Sequence, residues 1–125
     1  MILKIDMAGD VPIYQQIRNQ IVSGAATGTL QEGEPLPTVR QLAGDIGVNP
    51  MTVSKAYALL KEEGVIVIDR RHGARVNRFP VSGGDLDAEF DRQAELLISE
   101  ARMKGASEDA LRTRLLRLIG GVYGQ

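Results

Sequence analysis

The side chains best able to do chemistry in this 125-residue chain are bases, and they cluster. Between Pro37 and Arg78 stand Arg40, Lys55, Lys61, Arg70, Arg71, Arg75 and Arg78, against only four acids, Asp45, Glu62, Glu63 and Asp69. Guanidinium and ammonium groups at that density suit phosphate oxygens, which they bind by charge-assisted hydrogen bonds. The ingredients of catalysis are thin by comparison. Without cysteine there is no disulfide, thiolate nucleophile, Cys-containing zinc site or iron–sulfur cluster, and a reducing cytoplasm is the expected setting. The single histidine, His72, lies inside the basic run; it excludes His-His metal motifs and leaves any Ser-His-Asp scheme resting on one residue. Gly28 to Gly33 lacks the Gly-Lys-Ser ending of a phosphate-cradling loop. No cofactor and no metal are expected, and the chain does not read as an enzyme.

The formal net charge is −1, so total charge says nothing about partners and only its distribution does. From Phe79 onward the balance reverses to six bases against eight acids. The seam falls at FPVSGGD, where Pro80, Gly83 and Gly84 interrupt regular structure. Three parts follow: 1–78, a linker 79–84, and 85–125. Hydrophobic residues at 43% and charged ones at 25% are ordinary for a packed domain. The longest uncharged stretch, Asn19 to Gln31, is too short and too polar for a bilayer, and the first ten residues do not read as a secretory signal.

The bases need elements to position them. Ile2, Leu3 and Ile5 suggest a brief strand. Pro12 suits the first turn of a helix in which Ile13, Ile17 and Ile21 form a buried stripe, and Gly28 with the GEPLP segment stops it. Thr38 and Gln41 form a capping box for a second helix, whose apolar face is Val39, Leu42, Ala43 and Ile46 and whose end is Gly47. Asn49 then caps a third, with Pro50 first and Val53, Ala56, Tyr57 and Leu60 at helical spacing. Two starts so close together make a tight corner, the signature of a helix-turn-helix. Met51, Thr52, Ser54 and Lys55 lie on the outer face of the later helix, while Tyr14 and Tyr57 read as core. VIVID, the basic RRHG and ARVNR then read as a hairpin with a charged tip, a wing. A helix about 10 to 12 Å wide fits the major groove of B-DNA, so the helix start can reach base edges while Arg70, Arg71 and Arg75 approach phosphates or the minor groove.

Residues 12 to 78, carrying PIYQQI, LPTVRQLAGDIGVNPMTVSKAYALLKEEGVI and RRHGARV, resemble the winged helix-turn-helix domain of the GntR family of bacterial transcription regulators. The pair of helices that follows is similar to the YtrA subfamily, whose members lack the large effector domain of other branches. The resemblance implies double-stranded DNA as partner, contacts from Arg40 and from Asn49, Pro50, Met51 and Thr52, and wing contacts from Arg70, Arg71, His72 and Gly73. It also implies a repressor whose targets include transporter operons. The chain departs from the pattern in three places. Pro50 replaces an arginine common in the family, Met51 replaces an asparagine common in YtrA-like relatives, and the Gly-x-Gly wing tip appears as Arg71-His72-Gly73. A bidentate guanine contact from that helix start is therefore lost, and Met51 suits a thymine methyl instead.

In the last part Asp85 can cap a helix with Leu86, Phe90, Ala94, Leu97 and Ala101 on one stripe, ending at Gly105. Ser107 caps the next, with Leu111, Leu115, Leu118, Ile119 and Val122. Two amphipathic helices cannot close a core alone. Leu86, Phe90, Leu97, Leu111, Leu115, Leu118 and Ile119 are therefore expected to bury against a second copy, giving a homodimer for a palindromic operator; the plainer reading is that they extend the monomer's core. The fold class expected is mainly α with a small β wing. A small-molecule effector at the helical interface is compatible with this scheme. The competing function is a protein-interaction adaptor that uses the winged domain without reading DNA sequence.

Overall fold

The computed structural model describes residues 1–78 and 83–124. Phe79 to Ser82, within the expected linker, and Gln125 lie outside the described residues. The chain forms two compact units, Met1–Val81 and Ser82–Gln125. Together they are mainly helical with a two-stranded wing: helices α1 (Ile13–Thr27), α2 (Val39–Ile46) and α3 (Pro50–Glu62), strands β1 (Ile66–Asp69) and β2 (Gly73–Val76), then helices α4 (Ala88–Met103) and α5 (Glu108–Tyr123).

In the first unit the helix ends follow from local side chains. Pro12 is the N-cap of α1 rather than a member of its first turn, and Gly28 closes the helix in the left-handed conformation. The Thr38–Gln41 capping box opens α2, each side chain satisfying the other's backbone amide. Gly47, at φ 72, turns the chain, and Asn49 accepts from the Met51 amide at 2.8 Å to start α3 with Pro50 first. Ile17 and Ile21 of α1, Leu42 and Ala43 of α2, and Val53, Ala56, Tyr57 and Leu60 of α3 are buried together with Ile66 and Val76 of the wing. The three stripes thus meet in one core. The wing strands pair antiparallel with Ile66 opposite Val76 and Asp69 opposite Gly73.

Two expectations change. No strand forms at Ile2 to Ile5. Instead Gln20 accepts from the Lys4 amide at 2.9 Å and donates to its carbonyl at 2.6 Å, and Gln16 does the same for Asp6, at 2.8 Å each way. Glutamines four apart on a helix stand about 6 Å apart along its axis, close to the roughly 6.8 Å between alternate residues of an extended chain, so their amides replace a neighbouring strand. The GEPLP segment does more than stop a helix. Leu36 donates to Ala74 and Val76 to Glu34, at 2.8 and 3.0 Å, which lays 33–36 along the free edge of β2. Pro35 and Pro37 fit there because an edge asks for fewer amide donors.

In the second unit Asp87, not Asp85, caps α4 by accepting from the Phe90 amide at 2.9 Å. Leu86 consequently precedes the helix and is exposed. Both aspartates satisfy a capping pattern by type; Asp87 also places Glu89 and Asp91 in the first turn, against the positive end of the helix dipole. Ser107 caps α5, accepting from Ala110. Ala94, Ala101, Leu111 and Leu115 are half-buried, and no described residue of this unit is buried. Phe90, Leu97, Leu118 and Ile119 keep half or more of their surface exposed. No helix among the described residues is long and apolar enough to cross a membrane.

Candidate nucleic-acid interface

The core stripe of α3 fixes what its other side presents. With Val53, Ala56, Tyr57 and Leu60 inward, Pro50, Met51, Ser54 and Lys55 are exposed and Thr52 is half-buried. Met51 is 78% exposed, so its thioether and methyl face outward instead of filling a core. Asn49 uses its side-chain oxygen on the cap, and the Thr52 amide returns to the Asn49 carbonyl at 3.0 Å. These bonds make the helix start rigid before anything binds it.

Tyr57 joins the helices from below. Its hydroxyl donates to the Pro37 carbonyl at 2.7 Å, and burial pushes its pKa up to about 12. The residue carrying that carbonyl immediately precedes the Thr38 cap, so α3 holds the start of α2, and with it Arg40, the second residue of that helix. Arg40 is exposed and has no ion-pair partner among the described residues. A cleft of about 420 Å³ separates the start of α2 from the wing; Thr38, Ser54, Ala58, Lys61, Ile68 and Gly73 are among its walls. The start of α2, the outer face of α3 from Ser54 to Lys61, and the wing strands at Ile68 and Gly73 therefore border one cleft.

Asp69 organises the wing tip. Its Oδ1 accepts from the amides of Arg71 at 2.9 Å and His72 at 2.6 Å, and its Oδ2 accepts from Arg75 Nη2 at 3.3 Å. His72 Nδ1 lies 3.4 Å from Oδ1. The His72 amide foremost, then the Arg71 amide and the charges of His72 and Arg75, hold this carboxyl below the usual aspartate range. Gly73 follows at φ 67, a conformation in which a Cβ is strained. The outcome is a tight tip with Arg70 and Arg71 exposed and unpaired among the described residues, whereas Arg75 turns back to Asp69. Of the β1 residues only Ile66 is buried; Val67 and Ile68 are exposed.

Lys55 is not a plain surface lysine. Its Nζ sits 4.0 Å from the centroid of the Tyr14 ring, so Tyr14, half-buried on α1, offers a face as well as packing. Sequence reasoning missed two contributors here, Asp69 and Tyr14. An aspartate directly before a basic turn is a readable Asx-turn signal; nothing in the sequence announces the ring, which lies 41 positions from its lysine.

Residues 11–76 match the model for bacterial regulatory proteins of the gntR family. The chain belongs to that family. Within the GntR family it is YtrA-like. It is 41% identical over 75 residues to the HTH-type transcriptional repressor YtrA of Bacillus subtilis, covering 60% of this chain and 58% of that one. It is similar also to the solved structure of YtrA from Sulfolobus acidocaldarius, a GntR-family transcription factor, at 34% identity and a TM-score of 0.59, covering 97% of this chain and 99% of that one. It is similar also to the AraR DNA-binding domain solved in complex with operator ORX1, at 25% identity and a TM-score of 0.54, covering 59% of this chain and 95% of that one. This GntR-family chain is a DNA-binding transcription regulator and not an enzyme.

Proposed function

We propose that the protein is a dimeric, sequence-specific repressor that lays α3 in the major groove of an operator half-site and lets Arg70 and Arg71 of the wing approach phosphate or the minor groove. The observation that carries this reading is the outward face at the start of α3, with Met51 exposed and Ser54 and Lys55 beside it, together with the cleft that Ser54 shares with Thr38 of the α2 cap and Gly73 of the wing. Arg40 and the Asn49–Thr52 corner supply the contacts to base edges and backbone, and Met51 favours a thymine methyl. A second copy covers the apolar faces of α4 and α5, since Phe90, Leu97, Leu118 and Ile119 have no cover within their own unit. Pairing two winged units raises their effective concentration on a two-fold operator with half-sites roughly one helical turn, about 10 bp, apart or closer. Blocking a promoter by occupancy needs no further surface, and the likeness to the repressor YtrA supports repression; a transporter operon is the target that the subfamily resemblance implies.

The test is a salt titration. A duplex recovered by selection from random sequence is compared with its scrambled version, each binding the full chain. Tighter binding to the selected duplex, with log affinity falling steeply as log salt rises, is the expected outcome. Equal affinity for the two duplexes at every salt concentration would refute sequence-specific repression.

A further inference from the structure

The outer side of α3 has two unlike flanks. Ser54 and Lys61 belong to the flank that lines the cleft with the wing. Lys55 leans the other way, over the ring of Tyr14 near the start of α1. A helix seated in a major groove about 12 Å wide has a phosphate strand on either side of it. The wing flank therefore addresses one strand, and Lys55 is the α3 base that faces the other.

We infer that Tyr14 is a positioning residue for DNA binding: its ring holds the Lys55 ammonium toward the phosphate strand on the side of α3 away from the wing. The inference rests on the reading of α3 as the groove helix. A lysine has four rotatable side-chain bonds, and fixing them at a phosphate costs about 1.5–2 kcal/mol of rotamer freedom when nothing fixes them beforehand. Stacking on a tyrosine face removes part of that cost in the free protein and leaves the ammonium with N–H groups for an anion, because the ring engages only one side of it. Tyr14 is itself fixed: α1 is anchored to α3 through Ile17 and Ile21 in the core, and Arg18, one turn on, grips Glu63 through Nε at 3.0 Å and Nη2 at 2.5 Å. No acidic residue occupies the first turn of α1, so no carboxylate of that turn competes for Lys55. Glu62 and Glu63 stand near the opposite end of α3, and Glu63 is already engaged.

A double-mutant cycle on the full chain tests this, with the selected duplex and its scrambled version as probes. Wild type must first prefer the selected duplex; a failure at that step is a failure of the groove reading and is visible before any variant is made. Lys55→Met is expected to reduce the slope of log affinity against log salt by about one for each subunit bound. Tyr14→Leu, which keeps bulk but removes the π face, should weaken binding about two- to fivefold in the wild-type background and have no effect when Lys55→Met is present. Tyr14→Phe, which keeps the face, should stay within twofold of wild type. The Lys55 side-chain methylene protons should show an upfield ring-current shift in wild type and Tyr14→Phe that disappears in Tyr14→Leu while the methyl resonances of Ile17, Ile21 and Leu60 stay dispersed, which separates loss of the ring face from loss of folding. Equal losses from Tyr14→Leu in both backgrounds, a loss in Tyr14→Phe as large as in Tyr14→Leu, or tighter binding by Tyr14→Leu would each overturn the assignment.

Discussion

The two units of this chain bury their apolar residues in opposite ways. In the winged unit the stripes of three helices and the hairpin converge, and thirteen residues from Ile17 to Val76 are buried. In the helical unit the capping is as good, with Asp87 and Ser107 each satisfying a backbone amide, yet no described residue is buried. Secondary structure is thus equally well specified in both, and tertiary structure is not. Helices of this length gain most of their stability from an apolar face packed against something. The winged unit finds that surface within itself; the hairpin presents Phe90, Leu97, Leu118 and Ile119 outward, as a domain that is completed by a second copy would.

The sharpest way to break this comparison is to charge the exposed stripe. A Phe90→Asp/Leu97→Asp variant should become monomeric in sedimentation and lose about 100-fold or more in affinity for a two-half-site duplex, because effective concentration is lost. The melting of the winged unit should not change. In a monomer these positions would be harmless surface, so an intact dimer with unchanged affinity would show that the hairpin does not join two copies. The complementary variant, Leu60→Ala, removes a side chain with no exposed surface. It should destabilise the winged unit by about 2–5 kcal/mol in denaturant unfolding, independently of protein concentration. Leu118→Ala should instead shift stability by an amount that depends on protein concentration.

Smaller effects separate the parts of the DNA-facing surface. Arg40→Ala should cost about 1–3 kcal/mol of specific binding per half-site, whereas Arg71→Ala should act on both duplexes and flatten the salt slope by about one unit for each subunit bound. An unchanged slope would mean that the wing tip does not touch phosphate. The smallest effect concerns pH. Because the folded wing holds Asp69 below its usual range, the tip is stabilised above the ordinary aspartate pKa of about 4, and this contribution is lost as pH falls through the lowered value. The Arg71 and His72 amide resonances should therefore show a transition in acid, below about pH 5, that is absent from Asp69→Asn. An acid transition kept in Asp69→Asn would show that the Asp69 carboxylate does not order the tip.

What is legible in the sequence is what neighbours decide. Thr38–Gln41, Gly47, Asn49–Pro50 and Ser107 mark helix ends because cap chemistry acts over three residues or fewer, and the core stripes of α1 to α3 follow from the helical period. The outward placement of Met51 follows from the same period. Distant partners are not legible in this way. The arm at Lys4 and Asp6 looks like a strand by composition, but the groups that meet it are side-chain amides of α1, ten and sixteen positions on. The pairing of 33–36 with β2 and the stacking of Lys55 on Tyr14 likewise link segments far apart in the chain. Asp85 and Asp87 are equivalent by type, and which amide each can reach decides between them. For the wing, the basic tip is plain in the sequence, while the acid that shapes it is easily counted as mere charge balance.

The most direct test places a photocrosslinking amino acid at Met51 and, in a separate protein, at Ile98 of α4, each irradiated with the selected duplex. Crosslinks from position 51 to bases at the centre of a half-site, and none from position 98, are the predicted result. Crosslinks arising from position 98 while position 51 captures no nucleotide would contradict the placement of α3 in the groove.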